Sequence, residues 1–223
     1  MQMITKQNLK YIFLFSLLSI SISGCSINAP KCWPEKKGVV LELGTKKPLK
    51  DVFVAFRWGG RGGLVGIRSV CYHMQVTKTN AKGEFTMPGY FEGFSSLHRR
   101  DYIITFNSRT HKEFKNTRVG ITNEQKSFNL KPITGTREER FNYLIKSGRG
   151  PSCDSGGKSN RSAFPIHKMV YEEAKSLAKT KKEKKDVQWL RIIMASTIDK
   201  HIVSLVGEEQ EKRVDEILRE QEK

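Results

Sequence analysis

TKTNAKGEFTMPGY, residues Thr77 to Tyr90, reads as strand, turn, strand. The segment Ser69 to Thr79 is a strand, and Asn80 and Gly83 accept turn conformations that other residues resist. Glu84 to Met87 resumes extended chain and places Phe85 where it can plug a core. Working outward, Val39-Val40-Leu41-Glu42-Leu43 reads as a first strand and Gly44 to Pro48 as a turn. Asp51 to Trp58, DVFVAFRW, is a second strand rich in β-branched and aromatic residues. A glycine-rich loop, Gly59 to Gly66, follows, and further strands are expected at Tyr102 to Asn107 and Ser127 to Leu130. Short strands with turn signals about every ten residues predict an antiparallel β-sandwich rather than a parallel sheet.

Beyond Gly135 the pattern turns helical. Arg137 to Ile145 is a short helix closed by Gly148. Pro165 suits a first helical turn, and Ile166, Met169, Val170, Ala174, Leu177 and Ala178 fall at helical spacing behind it. Val187, Leu190, Ile193, Met194 and Ile198 mark another helix, and Val214, Ile217 and Leu218 are the apolar stripe of a charged tail. The expected fold class is therefore α+β, a β-sandwich followed by a C-terminal α-helical segment.

The β half carries a resemblance. KGVVLELGTKKPLKDVFVAF (37–56), TKTNAKGEFTMPGY, DYIITFNSRTHKEF (101–114) and FNLKPI (128–133) resemble the carboxypeptidase regulatory-like, transthyretin-like domain. That family reads Gly-x-Val, a Pro-Leu turn, an apolar strand, then Thr-x-Thr-(Asp/Asn)-x-x-Gly-x-Phe. Thr77, Thr79, Asn80, Gly83 and Phe85 occupy those places, with Asn80 where the family often has Asp. The resemblance covers roughly Lys37 to Pro132 and implies a transthyretin-like sandwich there. Many proteobacterial lipoproteins look like this, including a cysteine a few residues before the Thr-x-Thr strand, as Cys71 stands here.

The chain opens MQMITKQNLKYIFLFSLLSISISGCS. Lys6 and Lys10 give a positive n-region, with no acid before Glu35. Tyr11 to Ile22 is shorter than the roughly 20 residues of a membrane-spanning helix but suits a secretory h-region. Ile22-Ser23-Gly24-Cys25 resembles the bacterial lipobox. The resemblance implies cleavage between Gly24 and Cys25 and lipid on the Cys25 sulfur. Ser26, rather than Asp, implies sorting to the outer membrane, facing the periplasm, in a Gram-negative cell. The expected organisation is a signal peptide (1–24), a lipidated tether (25–36), the sandwich (37–132) and the helical segment (133–223).

The full chain has 223 residues and a net charge of +17; without the first 24 residues, which hold two lysines, 199 residues and +15 remain. Nucleic acid is the usual partner of such charge, but a lipid-anchored periplasmic protein rarely meets it. Anionic headgroups, an acidic envelope polymer or an acidic protein partner fit better. The charged and aromatic content, 28% and 9%, is that of a folded chain.

Cys32, Cys71 and Cys153 are left after lipidation, and an oxidising compartment should pair two of them. Sequence alone does not say which two. Cys71–Cys153 is the expected pair, because it would staple the helical segment to the sandwich, leaving Cys32 free or paired between chains. Cys153 lies in PSCDSGGKSNRS, Pro151 to Ser162. Asp-Ser-Gly-Gly there looks like a trypsin-type nucleophile loop, but no histidine has a matching setting for Ser155. Gly157-Lys158-Ser159 looks like the end of a P-loop, but Ser152 stands where the first glycine is needed and no strand leads in. His98 and His111 lack the His-x-x-Glu spacing of a carboxypeptidase zinc site, and no Cys-x-x-Cys occurs. No catalytic residue, metal or cofactor is expected.

Two surface features are candidates for binding. Arg57, Trp58, Arg61 and Arg68, with Arg99 and Arg100, can cluster around the glycine-rich loop; Trp58 is equally a core candidate. Lys179, Lys181, Lys182, Lys184 and Lys185 read as a solvated linker between helices, or as a run attracted to anionic headgroups. The reading is a lipid-anchored, non-catalytic binding or structural module. The alternatives are a component of a secretion machine, some of which also look transthyretin-like, and an envelope hydrolase.

Overall fold

The computed structural model describes residues 31–62, 68–92, 99–112, 114–116, 127–148, 151–153 and 160–222. Strands come first: β1 (Lys31–Trp33), β2 (Lys36–Glu42), β3 (Phe53–Gly62), β4 (Arg68–Lys78), β5 (Glu84–Met87), β6 (Tyr90–Glu92), β7 (Arg99–Asn107), β8 (Phe114–Asn116) and β9 (Ser127–Leu130). Helices α1 (Arg137–Ser147), α2 (Phe164–Leu177), α3 (Lys181–Ser196) and α4 (Gly207–Glu220) follow, with 3₁₀ turns at Arg161–Ala163 and Lys200–Ser204. The chain is thus α+β with its helices C-terminal.

The strands form a four-stranded sheet, β4-β3-β7-β8, a three-stranded sheet, β5-β2-β9, and a ribbon of β1 with β6. β3 explains why DVFVAFRW reads as one apolar run. Its side chains alternate between faces, and both faces are covered. Val54, Phe56 and Trp58 enter a cluster with Val40, Phe85, Met87 and Phe128 of the three-stranded sheet. Phe53 and Ala55, on the other face, pack against Phe141, Leu144, Ile166, Met169 and Val170 of α1 and α2. The helices therefore share a core with the sheet rather than hanging from it. A further cluster, with Ile192, Ala195, Ile202, Val214 and Ile217, holds α4 against the end of α3.

The Thr77–Tyr90 stretch supplies the turn that feeds β5. Thr79 is buried; its hydroxyl accepts from the Val52 N–H at 3.0 Å and donates to the Leu49 carbonyl at 2.6 Å. Asn80 Oδ1 accepts from the N–H groups of Lys82 (2.9 Å) and Glu84 (3.0 Å), closing the turn with a side chain. Phe85 then meets Phe56, Phe106 and Phe128. A Cβ on Gly38 would lie 2.8 Å from the Phe85 ring, so glycine makes room for that ring.

Several expectations change. The pairing is not antiparallel throughout: β9 runs parallel to β2, Val39 opposite Ser127. A parallel neighbour needs a long crossover, and the chain between them supplies one through the other sheet. Gly59–Gly62 belong to β3 rather than a loop, because β4 pairs with them on one side and β7 with Gly59 to Arg61 on the other. Positions 63–66 of the expected loop lie outside the described residues. The expected tether (25–36) is β-structure from Lys31 onward: Trp33 is 3% exposed and packs on Tyr90. The lysine run is no linker. Lys181, Lys182, Lys184 and Lys185 lie in the first turns of α3, which opens on a capping box of Thr180 with Glu183. No helix among the described residues is long and apolar enough to cross a membrane. The signal segment, Gly24 and Cys25 lie outside the described residues.

Candidate functional site

Cys71 on β4 and Cys153, beyond α1, are joined by a disulfide, their Cα atoms 5.4 Å apart, within the ordinary bridging range. Met74 and Ala163 pack around it. Arg57 Nη1 donates to the Ser152 carbonyl at 3.0 Å, Asn160 Oδ1 accepts from the Cys153 N–H at 2.6 Å, and Ser162 Oγ donates to the Met74 carbonyl at 2.9 Å. The described ends of the PSCDSGGKSNRS loop are thus stitched to β3 and β4. Ser155, Gly157 and Lys158 lie outside the described residues, as does the side chain of Cys32.

The predicted arginine cluster divides. Arg57 is drawn to the Ser152 carbonyl, and Trp58 is core, 2% exposed. Backbone register gathers the rest at one end of the sheet: Arg61 is opposite Arg99, Gly60 opposite Arg100 and Gly62 opposite Arg68. Their side chains lie outside the described residues.

About 26 Å away, at the start of β3, a cleft of about 620 Å³ opens between the sheet and α2. Phe53 and Met169 give it an apolar floor, and Ser108 and Thr110 add hydroxyls. Arg109 is paired with Glu172 at 3.0 Å and Lys50 with Asp51 at 3.7 Å. Lys78 stands over the Phe53 ring at 4.5 Å, and Lys168 reaches the cleft from α2. Among the described residues no carboxylate pairs with Lys78 or Lys168. The cleft has the size of a small-ligand pocket and a surplus of positive charge. No sequence signal marks it, because its walls come from the β2–β3 turn, β4, the segment after β7 and α2.

The histidines serve packing and bridging. His73 stacks on Trp58 and on Tyr90, with ring centroids 5.4 and 4.7 Å away, and those two rings also meet each other at 5.4 Å. Buried His111 meets Glu42 Oε1 at 3.3 Å and the Thr110 hydroxyl at 2.9 Å. Glu42 is held below the usual carboxylate range, first by its bond from the Thr45 hydroxyl and then by His111. Burial pushes His167 down to about 4, against backbone hydrogen bonds at Gly148 and Pro151 that pull it up. Glu183 is held at about 2 by the N–H groups of Thr180 and Lys179 and by Arg137. Among the described residues no three His, Cys, Asp or Glu side chains converge as a metal site requires.

No protein-family model matches the chain, and no curated protein matches it. Among solved structures it is similar to a 9R-lipoxygenase from Cyanothece PCC8801, at 12% identity and a TM-score of 0.25. The match covers 84% of this chain but 33% of that one, so the chain spans a third of the lipoxygenase's length. A likeness at that score carries no argument about fold or activity.

Proposed function

We propose that this chain is a lipid-anchored, non-catalytic binding protein of the bacterial envelope. Its body is a transthyretin-like sandwich backed by a layer of C-terminal helices, and it takes an anionic ligand. The observation that carries the binding half is the cleft beside β3, where Lys78 and Lys168 face an apolar floor and, among the described residues, pair with no carboxylate. A group carrying a carboxylate or phosphate next to an apolar ring or chain matches those walls; an acidic envelope polymer or an acidic protein partner presents such groups. The envelope half is supported by the lipobox-like Ile22-Ser23-Gly24-Cys25 and by the Cys71–Cys153 bond, which belongs in an oxidising compartment. The sandwich reading is supported by Val54, Phe56 and Phe106 of one sheet meeting Phe85 and Phe128 of the other.

Phenyl phosphate tests the cleft. Saturation-transfer difference spectra of the membrane-extracted protein should show contact to its ring, and Lys78→Gln/Lys168→Gln should abolish it. Equal signals from the variant, or from neutral benzyl alcohol, would remove the anionic-ligand reading. Intact mass of the extracted protein, before and after thiol alkylation, tests the envelope half. The expected mass is Cys25–Lys223 plus acyl chains, less two hydrogens, with one thiol alkylated. An unlipidated chain with all four cysteines as free thiols would overturn it.

A further inference from the structure

From the surface of α3 we infer a second contact with the bilayer, built by Lys181, Lys182, Lys185 and Trp189 and directed at anionic lipid headgroups. The inference rests on the envelope reading above, since only a protein held at a membrane meets that surface continuously. α3 buries Glu183, Val187, Leu190 and Met194 along one side, while Ile192 and Ala195 near its end are covered by α4 and the turn before it. At 3.6 residues per turn, Lys181, Lys182, Lys185 and Trp189 fall on the side away from Val187 and Leu190, and all four are exposed ahead of the point where α4 covers Ile192. Lys182, Lys185 and Trp189 succeed one another at i, i+3 and i+7, so the lysines precede the ring along one face, with Asp186 at its border. Trp189 is 52% exposed, whereas Trp33 and Trp58 are 3% and 2% exposed.

Two features of this face run against a purely solvated role. An indole left half in water has its apolar body unburied, the arrangement that suits a membrane interface, where the ring sits at headgroup depth. The lysines also crowd the first turns of a helix, the end whose macrodipole disfavours cations. Their placement fits an external negative surface that compensates for it, and clusters of lysine are attracted to anionic leaflets. The tether agrees in reach: Cys25 to Lys31 spans six residues, at most about 22 Å when extended, which keeps the domain against the lipid.

Trp189 is its own probe. The acylated protein is placed in vesicles carrying brominated acyl chains, either phosphatidylcholine alone or phosphatidylcholine mixed with phosphatidylglycerol. Tryptophan emission should be quenched and blue-shifted in the anionic vesicles and not in the neutral ones. Lys182→Glu/Lys185→Glu should lose that quenching while keeping its thermal unfolding midpoint, and Trp189→Phe should emit alike in both compositions. Emission that is the same in both lipids, or quenching that survives charge reversal, would overturn the inference and leave the face to water or to a protein partner. If the mass measurement finds no acyl chains, co-sedimentation of the chain with the same two vesicle types replaces the anchored assay. Binding to anionic vesicles at least tenfold stronger than to neutral ones then supports the docking face without the anchor, and equal binding rejects it.

Discussion

Gly83 holds φ at +73°, and a Cβ there would stand 2.5 Å from the Val40 carbonyl oxygen. That same carbonyl side of β2 is engaged by the turn, since the Val40 N–H donates to the Gly83 carbonyl at 2.8 Å. Left-handed backbone costs an L-residue about 1–2 kcal/mol, and the contact adds to it. Gly83→Ala is therefore expected to destabilise the fold by about 2 kcal/mol or more, read as a lowered urea midpoint at unchanged m-value. A neutral or stabilising result would mean that the turn relaxes away from β2. Thr79 and Asn80 belong to the same device: each replaces a missing backbone partner with a side-chain oxygen. Asn80 is legible from sequence because its bonds to Lys82 and Glu84 are local, whereas the Thr79 hydroxyl reaches Val52 and Leu49, 27 and 30 positions away.

Two junctions fix the place of the helices, one against the sheet and one among themselves. The first is the Cys71–Cys153 bond, 82 residues apart in sequence. In the chain-entropy model a loop of that length contributes about 4 kcal/mol, so Cys71→Ala/Cys153→Ala should lower stability by that order. Hydrogen exchange should show the loss at α2 and the Arg161–Ala163 turn before β3. The second is Arg137, which donates to Glu183 Oε1 and to the Leu177 carbonyl, both at 2.8 Å, tying α1 to the end of α2 and the start of α3. Because the Thr180 and Lys179 N–H groups are the leading causes of Glu183's low value, Arg137→Gln should raise it only part of the way toward 4.5. A carbonyl-detected NMR titration reads this directly, and a full return would assign the effect to Arg137 instead. The sequence does not mark Arg137, whose partners lie 40 and 46 positions away.

For the molecule as a whole, the upper part of the acid range is governed by one buried imidazole. His167 titrates near 4 when folded and near 6.5 when unfolded. Between those values the unfolded chain binds the proton and the folded chain does not, so stability falls as pH drops from about 6.5 to 4. The slope is up to about 1.4 kcal/mol per pH unit and the loss is of order 3 kcal/mol. Glu183 adds a separate loss at lower pH, between 4.5 and about 2, where its carboxylate is protonated first in the unfolded state. His167→Gln should flatten the upper window and leave the lower one, in urea melts run across pH. An unchanged slope above pH 4.5 would show that another group governs it.

What the sequence settles by itself is what neighbours along the chain enforce: the Thr79–Phe85 turn, the extended apolar run of β3, the helix starts at Arg137 and Pro165, and the division into β and α halves. Strand alternation says that both faces of β3 are buried but not by what. Tertiary packing chose the helices for one face and the second sheet for the other, made β9 parallel to β2, and drew Trp33 out of the tether into the core. It also united Lys78 with Lys168 across a cleft and placed Arg61 opposite Arg99. Such juxtapositions join residues 38 to 90 positions apart. They depend on burial of apolar surface, which is non-directional and leaves no periodic trace in sequence.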